Sequence, residues 1–180
     1  EYEKERNYST VYESDSTCIL HVHDSGKVYG GQTGFVAIKI LADEYPSSSH
    51  IFRLENEYRV SQYLTDCTST RSGLKFISRE GFHALYLDWA EGITLQEWIK
   101  AAHKKEGTAQ KSTGSTANGI ESDKNFDYDI ATRLALEISK AVEEIHQYDA
   151  VHNNISSENI IVDIDEGNGS FMVKIIGLGL

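Results

Sequence analysis

A single lysine interrupts the apolar run Gly34-Phe35-Val36-Ala37-Ile38-Lys39-Ile40-Leu41. In a buried strand one ammonium can either meet an anion or pair with a carboxylate from a neighbouring element. The next helical stretch offers that carboxylate at Glu57, with Glu55 as the rival, in Arg53-Leu54-Glu55-Asn56-Glu57-Tyr58. Much later, His152-Asn153-Asn154-Ile155-Ser156-Ser157-Glu158-Asn159 puts amides at 154 and 159 just before an apolar strand. An amide cannot take up a proton as a carboxylate can. The next strand runs into Lys174-Ile175-Ile176-Gly177-Leu178-Gly179-Leu180, and glycine offers no side-chain ligand. The chain thus has a cation and its acid, but no carboxylate at 154 or 177.

Other candidates are weaker. His21 and His23 alternate on one strand face, yet no third ligand follows at a recognisable spacing, so surface histidines are the expectation. Asp163 and Asp165 read as decoration of a hairpin. Three Asn-x-Ser/Thr triplets, at Asn7, Asn154 and Asn168, read as chance matches. The formal net charge of −11 argues against nucleic-acid and membrane-surface partners. Two cysteines, Cys18 and Cys67, are too few for a disulfide framework and point to a reducing, cytoplasmic compartment. No apolar run reaches the ~18 residues of a membrane span. The start has no Met and no signal-peptide pattern, which leads to the expectation of a piece cut from a longer protein.

The elements that must position these residues follow from periodicity and turn chemistry. Residues 9–23 read as strand, turn and strand, and 34–41 as a buried strand. Ser47, Ser48 and Ser49 after Pro46 are N-caps for a helix over 50–64. Two strands follow, over 73–78 and 82–89, with a turn at Glu80-Gly81, and then a short helix over 94–102. Residues 103–124, rich in Gly, Ser, Thr and Lys, read as a flexible insertion. Ile130, Leu134, Ile138, Val142 and Ile145 make one stripe on a long helix over 129–148. Strands over 159–164 and 171–176 flank a turn at Asn168-Gly169. The order is an α+β arrangement.

Val36-Ala37-Ile38-Lys39 matches the corresponding strand motif of protein kinases letter for letter. Glu57 is placed like the kinase helix acid that pairs with that lysine. Leu85-Tyr86-Leu87-Asp88-Trp89 resembles the strand leading into the kinase hinge. The 152–159 segment lies over the catalytic loop H-R-D-x-x-x-x-N, and 177–179 over D-F-G. The chain therefore resembles a protein-kinase-like two-lobed fold, with an antiparallel β-sheet N-lobe carrying one helix and a partial helical C-lobe. The resemblance implies an N-lobe and hinge over 1–90. A partial C-lobe over 91–180 carries the insertion 103–124 and stops after the D-F-G position. The face of the 129–148 helix is then expected to be partly uncovered. Tyr12-Glu13-Ser14, Glu44-Tyr45-Pro46 and Glu57-Tyr58 are also similar to the kinase-like domain at the front of very large signalling proteins. In those it precedes an AAA-type ATPase region and often a histidine-kinase or cyclase output.

What the resemblance implies for chemistry is mostly loss. Phosphoryl transfer depends on positioning and charge neutralisation. The glycine loop falls at 13–18, which contains no glycine but does contain Glu13 and Asp15. Asn154 stands at the catalytic Asp position and Ser156 at that of the usual lysine. Gly177 stands at the position of the metal-holding Asp. Lys39, Glu57, Leu87, Asp88, Ala90 and Asn159 are the positions that would meet a nucleotide. Lys39 and Glu57 could equally serve only to clamp helix to sheet, and Asn159 only to bond its loop. The expectation is a degenerate, pseudokinase-type regulatory or scaffolding module of a multidomain signalling protein. It has no expected cofactor, and its partners are other domains of the parent chain or a signalling protein. The alternatives are a divergent serine/threonine kinase using ATP and Mg, and a nucleotide-sensing module without catalysis.

Overall fold

The computed structural model describes residues 8–107, 128–165 and 169–179. Five strands form one antiparallel sheet: β1 (Tyr8–Glu13), β2 (Thr17–His23), β3 (Phe35–Leu41), β4 (Gly73–Arg79) and β5 (Phe82–Asp88). Their spatial order is β1-β2-β3-β5-β4, and helix α1 (Ser48–Tyr63) is inserted between β3 and β4. This α+β arrangement is compatible with a kinase N-lobe.

The continuous apolar run of β3 has a plain cause, since the strand is central and covered on both faces. One face sets Ala37 and Leu41 against Leu85 and Leu87 of β5 and Leu54 of α1. The other sets Val36 and Ile38 beside Ala84 and Tyr86, with the Tyr29 ring stacked on Tyr86 at 4.8 Å. Helix α1 begins where the serines predict. Ser47 is the N-cap, and its side chain accepts a hydrogen bond from the His50 N–H at 3.3 Å.

A second, three-stranded antiparallel sheet follows, ordered β6-β7-β8, from β6 (Ile93–Thr94), β7 (Ile160–Asp165) and β8 (Ser170–Ile175). Between β6 and β7 lie α2 (Leu95–Gly107) and α3 (Tyr128–Gln147). Strand β6 has too few residues to show a period. Thr94 and Glu97 close the start of α2 reciprocally: the Glu97 N–H donates to the Thr94 hydroxyl, and the Thr94 N–H donates to the Glu97 carboxylate. That backbone bond, with one from the Thr94 hydroxyl, holds the Glu97 carboxyl below its ordinary value. The helix runs five residues past the expected end at 102, so 103–107 are helical and not part of an insertion. Residues 108–124, the remainder of that expectation, lie outside the described residues, as does Asn168 of the expected turn.

The stripe on α3 is covered in part, with Ile130, Ile138 and Val142 left half-buried. Leu134, Ala141 and Ile145 are buried against Ile160, Val162, Val173 and Ile175 of the small sheet, with Ile138 and Val142 packed alongside. The hairpin itself supplies the cover. Leu64 and Cys67, from the end of α1 and the loop after it, belong to the same cluster. The two sheets are therefore joined through the loop over 64–72.

Gly92, in the link from β5 to β6, has φ +111°. A Cβ there would stand 2.4 Å from the Val162 carbonyl oxygen, so only glycine lets the link pass this close to β7.

Candidate functional site

Lys39 lies on the middle strand, opposite Ile19 of β2 and Leu85 of β5. Glu57 lies on the face of α1 turned towards the sheet. The Lys39 Nζ is 2.6 Å from the Glu57 Oε2, and Glu57 is 2% exposed against 25% for the lysine. Glu55, the rival partner, instead pairs with Arg59 at 2.7 Å on the outer side of the helix. A helix turns by 3.6 residues, so positions two apart face different ways, and only one of the two acids could reach β3.

Arg71, in the loop between α1 and β4, is a second cation on the same carboxylate. Its Nη2 stands 3.7 Å from the Glu57 Oε1, which is an ion pair but too long for a hydrogen bond. Burial lowers the Arg71 guanidinium from its ordinary value, and Glu57 opposes that shift. The sequence reading missed Arg71. It sits in Thr68-Ser69-Thr70-Arg71-Ser72-Gly73, a polar stretch with no period, where an arginine ordinarily reads as solvated.

The loop over 151–159 is held by its own backbone and by one histidine. The Asn154 N–H donates to His152 Nδ1 at 3.2 Å. Nδ1 is then an acceptor, so Nε2 carries the proton and donates to the Ile176 carbonyl oxygen at 2.8 Å. The Asn159 side-chain amide donates to the Asn154 carbonyl oxygen at 3.0 Å, and the Ile176 N–H donates to the Asn159 carbonyl at 2.8 Å. Gly177 follows with φ +80°, and a Cβ there would lie 2.9 Å from the Asn159 Oδ1. The structure therefore brings 154, 159 and 177 into one corner, which holds two amides and a glycine.

That donor set does not fit a magnesium ion, which prefers anionic oxygens in a strict octahedral shell. The Asn159 amide nitrogen bonds its own loop, and its oxygen alone would be one neutral ligand. Among the described residues no group of three or more His, Cys, Asp or Glu could hold a metal ion.

The segment expected to supply a glycine loop is a tight turn between β1 and β2. The Ser14 N–H donates to the Thr17 carbonyl at 2.9 Å, and Glu13 pairs directly with Cys18. Within the turn the Thr17 N–H donates in return to the Ser14 hydroxyl at 3.1 Å, and no glycine opens the backbone to a phosphate. Leu87 is wholly buried beneath α1, and Ala90 is buried in the link to β6. Asp88 is also buried, and its carboxylate accepts from the Gln32 N–H at 3.0 Å. Asp24 does the same work nearby, accepting from Val28 and Tyr29 N–H groups at 2.8 and 3.0 Å. These acids fasten the β2–β3 connection, which the sequence marked only as turns. His21, the metal candidate, stacks on Phe35 at 4.7 Å and meets the tilted Trp89 ring at 4.0 Å between ring centroids.

Glu144 of α3 was also missed, because one acid in a polar helical stretch has no distinguishing mark. Its carboxylate accepts from the N–H groups and hydroxyls of both Thr68 and Ser69. Burial alone would raise its pKa, but those hydrogen bonds outweigh it and leave the carboxyl below its ordinary value. From β8, Lys174 donates to the carbonyls of Thr68 and Thr70, and the Ile175 N–H donates to that of Ser69.

No family model matches the chain. It is similar to a probable serine/threonine-protein kinase of Clostridium perfringens, 23% identical over 146 residues. That match covers 81% of this chain and 18% of the relative. It is also similar to a eukaryotic translation initiation factor 2-alpha kinase of Plasmodium berghei, 26% identical over 96 residues, covering 53% of this chain and 3% of the relative. The chain thus spans less than a fifth of either relative. These distant similarities, with the sheet order and the Lys39–Glu57 pair, support a protein kinase-like domain. Among the described residues no helix is long and apolar enough to cross a membrane.

Proposed function

We propose that this chain is a degenerate protein-kinase-like domain that regulates or scaffolds within a larger signalling protein and transfers no phosphate. In this reading the five-stranded sheet with α1 is the front lobe, and α2, α3 and the small sheet are part of the second. The observation that carries it is the corner at 154, 159 and 177. Two carboxylates expected there are an amide and a glycine, and the remaining Asn159 amide donates to the Asn154 carbonyl. Loss of a general base alone costs ~10²–10⁴-fold in rate, and loss of the metal-holding acid removes the neutralising ion. Its partners are other domains of the parent chain or a signalling protein in the cytoplasm, with no nucleic acid or membrane.

The intact Lys39–Glu57 pair favours a second reading, in which a nucleotide binds through Lys39 without metal and biases a conformation. One experiment separates them. The unfolding midpoint of the full-length protein is measured with excess ATP, with and without Mg²⁺. The scaffold reading expects no shift in either condition. A ligand at 100 times its dissociation constant would add about 2.7 kcal/mol of stability. A shift that needs no Mg²⁺ would favour sensing, and one that requires Mg²⁺ would overturn both readings in favour of a divergent kinase.

A further inference from the structure

We propose that Arg71 is a positioning residue, the buried counter-ion that keeps Glu57, and with it helix α1, docked on the sheet whether or not Lys39 is engaged. The Glu57 carboxylate is bracketed from two elements. Lys39 holds Oε2 from β3, and Arg71 faces Oε1 from the loop over 64–72. The two cations differ in freedom. Lys39 is a quarter exposed on a flexible stem, so it can turn to water or to an anion at little cost. Arg71 has 8% of its side chain exposed and cannot leave Glu57 without stranding its own buried charge.

The base from which Arg71 reaches is itself fixed. Its loop is held by Glu144 of α3, by Lys174 and by the Ile175 N–H of β8. Helix α1 is also pressed from its inner side. At Gly179 a Cβ would stand 2.8 Å from both the Glu57 Cβ and the Arg53 carbonyl oxygen, so the 177–179 segment lies directly on the helix. A helix gripped by a buried ion pair and a backbone strap does not need Lys39 to hold it in place. This stands whether the cleft takes a nucleotide or nothing.

The test is amide hydrogen exchange along α1, with urea unfolding, in the full-length protein. Lys39→Met should leave α1 protection within about threefold of the native protein. Arg71→Met should raise exchange by about tenfold or more. Arg71→Lys, which keeps the charge, should recover most of the protection. Arg71→Met should also reduce the folding equilibrium constant at least about tenfold less in a Glu57→Gln background than in the native one. Equal losses in both backgrounds would make Arg71 a space-filler and overturn the proposal. So would Lys39→Met if it opened α1 as far as Arg71→Met does. If Arg71→Met alone does not fold, the neutral Glu57→Gln, Arg71→Met pair must fold, and its failure also overturns the proposal.

Discussion

Two corners of the molecule answer to the same family resemblance and have fared differently. The corner at Lys39, Glu57 and Arg71 keeps its full charges in the interior, within 2.6 and 3.7 Å of one another. The corner at Asn154, Asn159 and Gly177 keeps its backbone path but carries no acid. In the first, the charges join one element to another, and the buried Glu57–Arg71 pair cannot lose a member without stranding a charge. In the second, the hydrogen bonds run through backbone groups, the Asn159 amide and His152, and the side chain of Asn154 takes no part in those bonds.

The comparison breaks most readily at Glu57. Glu57→Ala leaves two cations without their acid, one of them buried, and should cost about 3–5 kcal/mol in urea unfolding. A cost below ~1 kcal/mol would mean that the ionic corner is ornamental. Glu144→Ala should follow at about 2–3 kcal/mol, because it strips one acceptor from four donors. The same carboxylate gives a pH signature. Its folded pKa is depressed, so its contribution is complete above the unfolded value of about 4.3 and is lost as pH falls through the lower folded value. Glu144→Gln should flatten the acid limb of stability below the ordinary carboxylate pKa, and an unchanged acid limb would contradict this.

Smaller effects sharpen the other side. Gly177→Asp should cost about 1–2 kcal/mol. Aspartate tolerates the left-handed backbone better than most residues, but its Cβ must displace the Asn159 amide from the Asn154 carbonyl. Asn154→Asp should change stability by less than ~0.5 kcal/mol, since it is the backbone N–H and C=O of 154 that bond. By itself it should give no detectable phosphate transfer, because position 177 would still lack an acid.

Much of the fold was legible because the period was clear. The β3 run, the α1 caps and the α3 stripe each state their element and buried face through side-chain spacing. The Lys39–Glu57 pair was legible as well, through spacing and a strand motif. What stayed hidden was set by tertiary contact alone. Arg71, Glu144 and Asp24 are single polar residues among polar neighbours, and nothing local separates a buried, bonded group from a solvated one, while Asp88 stands out within an apolar strand but its bond to the Gln32 N–H does not. The end of α2 was misplaced because Lys104, Lys105 and Glu106 continue a helix as readily as they leave it. The cover over Leu134, Ala141 and Ile145 comes from β7 and β8, which no spacing along α3 announces.

The grip of Glu144 on Thr68 and Ser69 also sets a timetable. Ser69 and Glu144 are 75 residues apart, and Lys174 is 106 from Thr68. At about 5–20 residues per second, a ribosome delivers Glu144 roughly 4–15 seconds after Ser69. During that interval the large sheet can form while the loop that joins it to the rest still bonds to water and Leu64 and Cys67 lack their neighbours. The growing chain is most open to a chaperone, or to a wrong partner, in those seconds, before residues 144–175 arrive to close the loop.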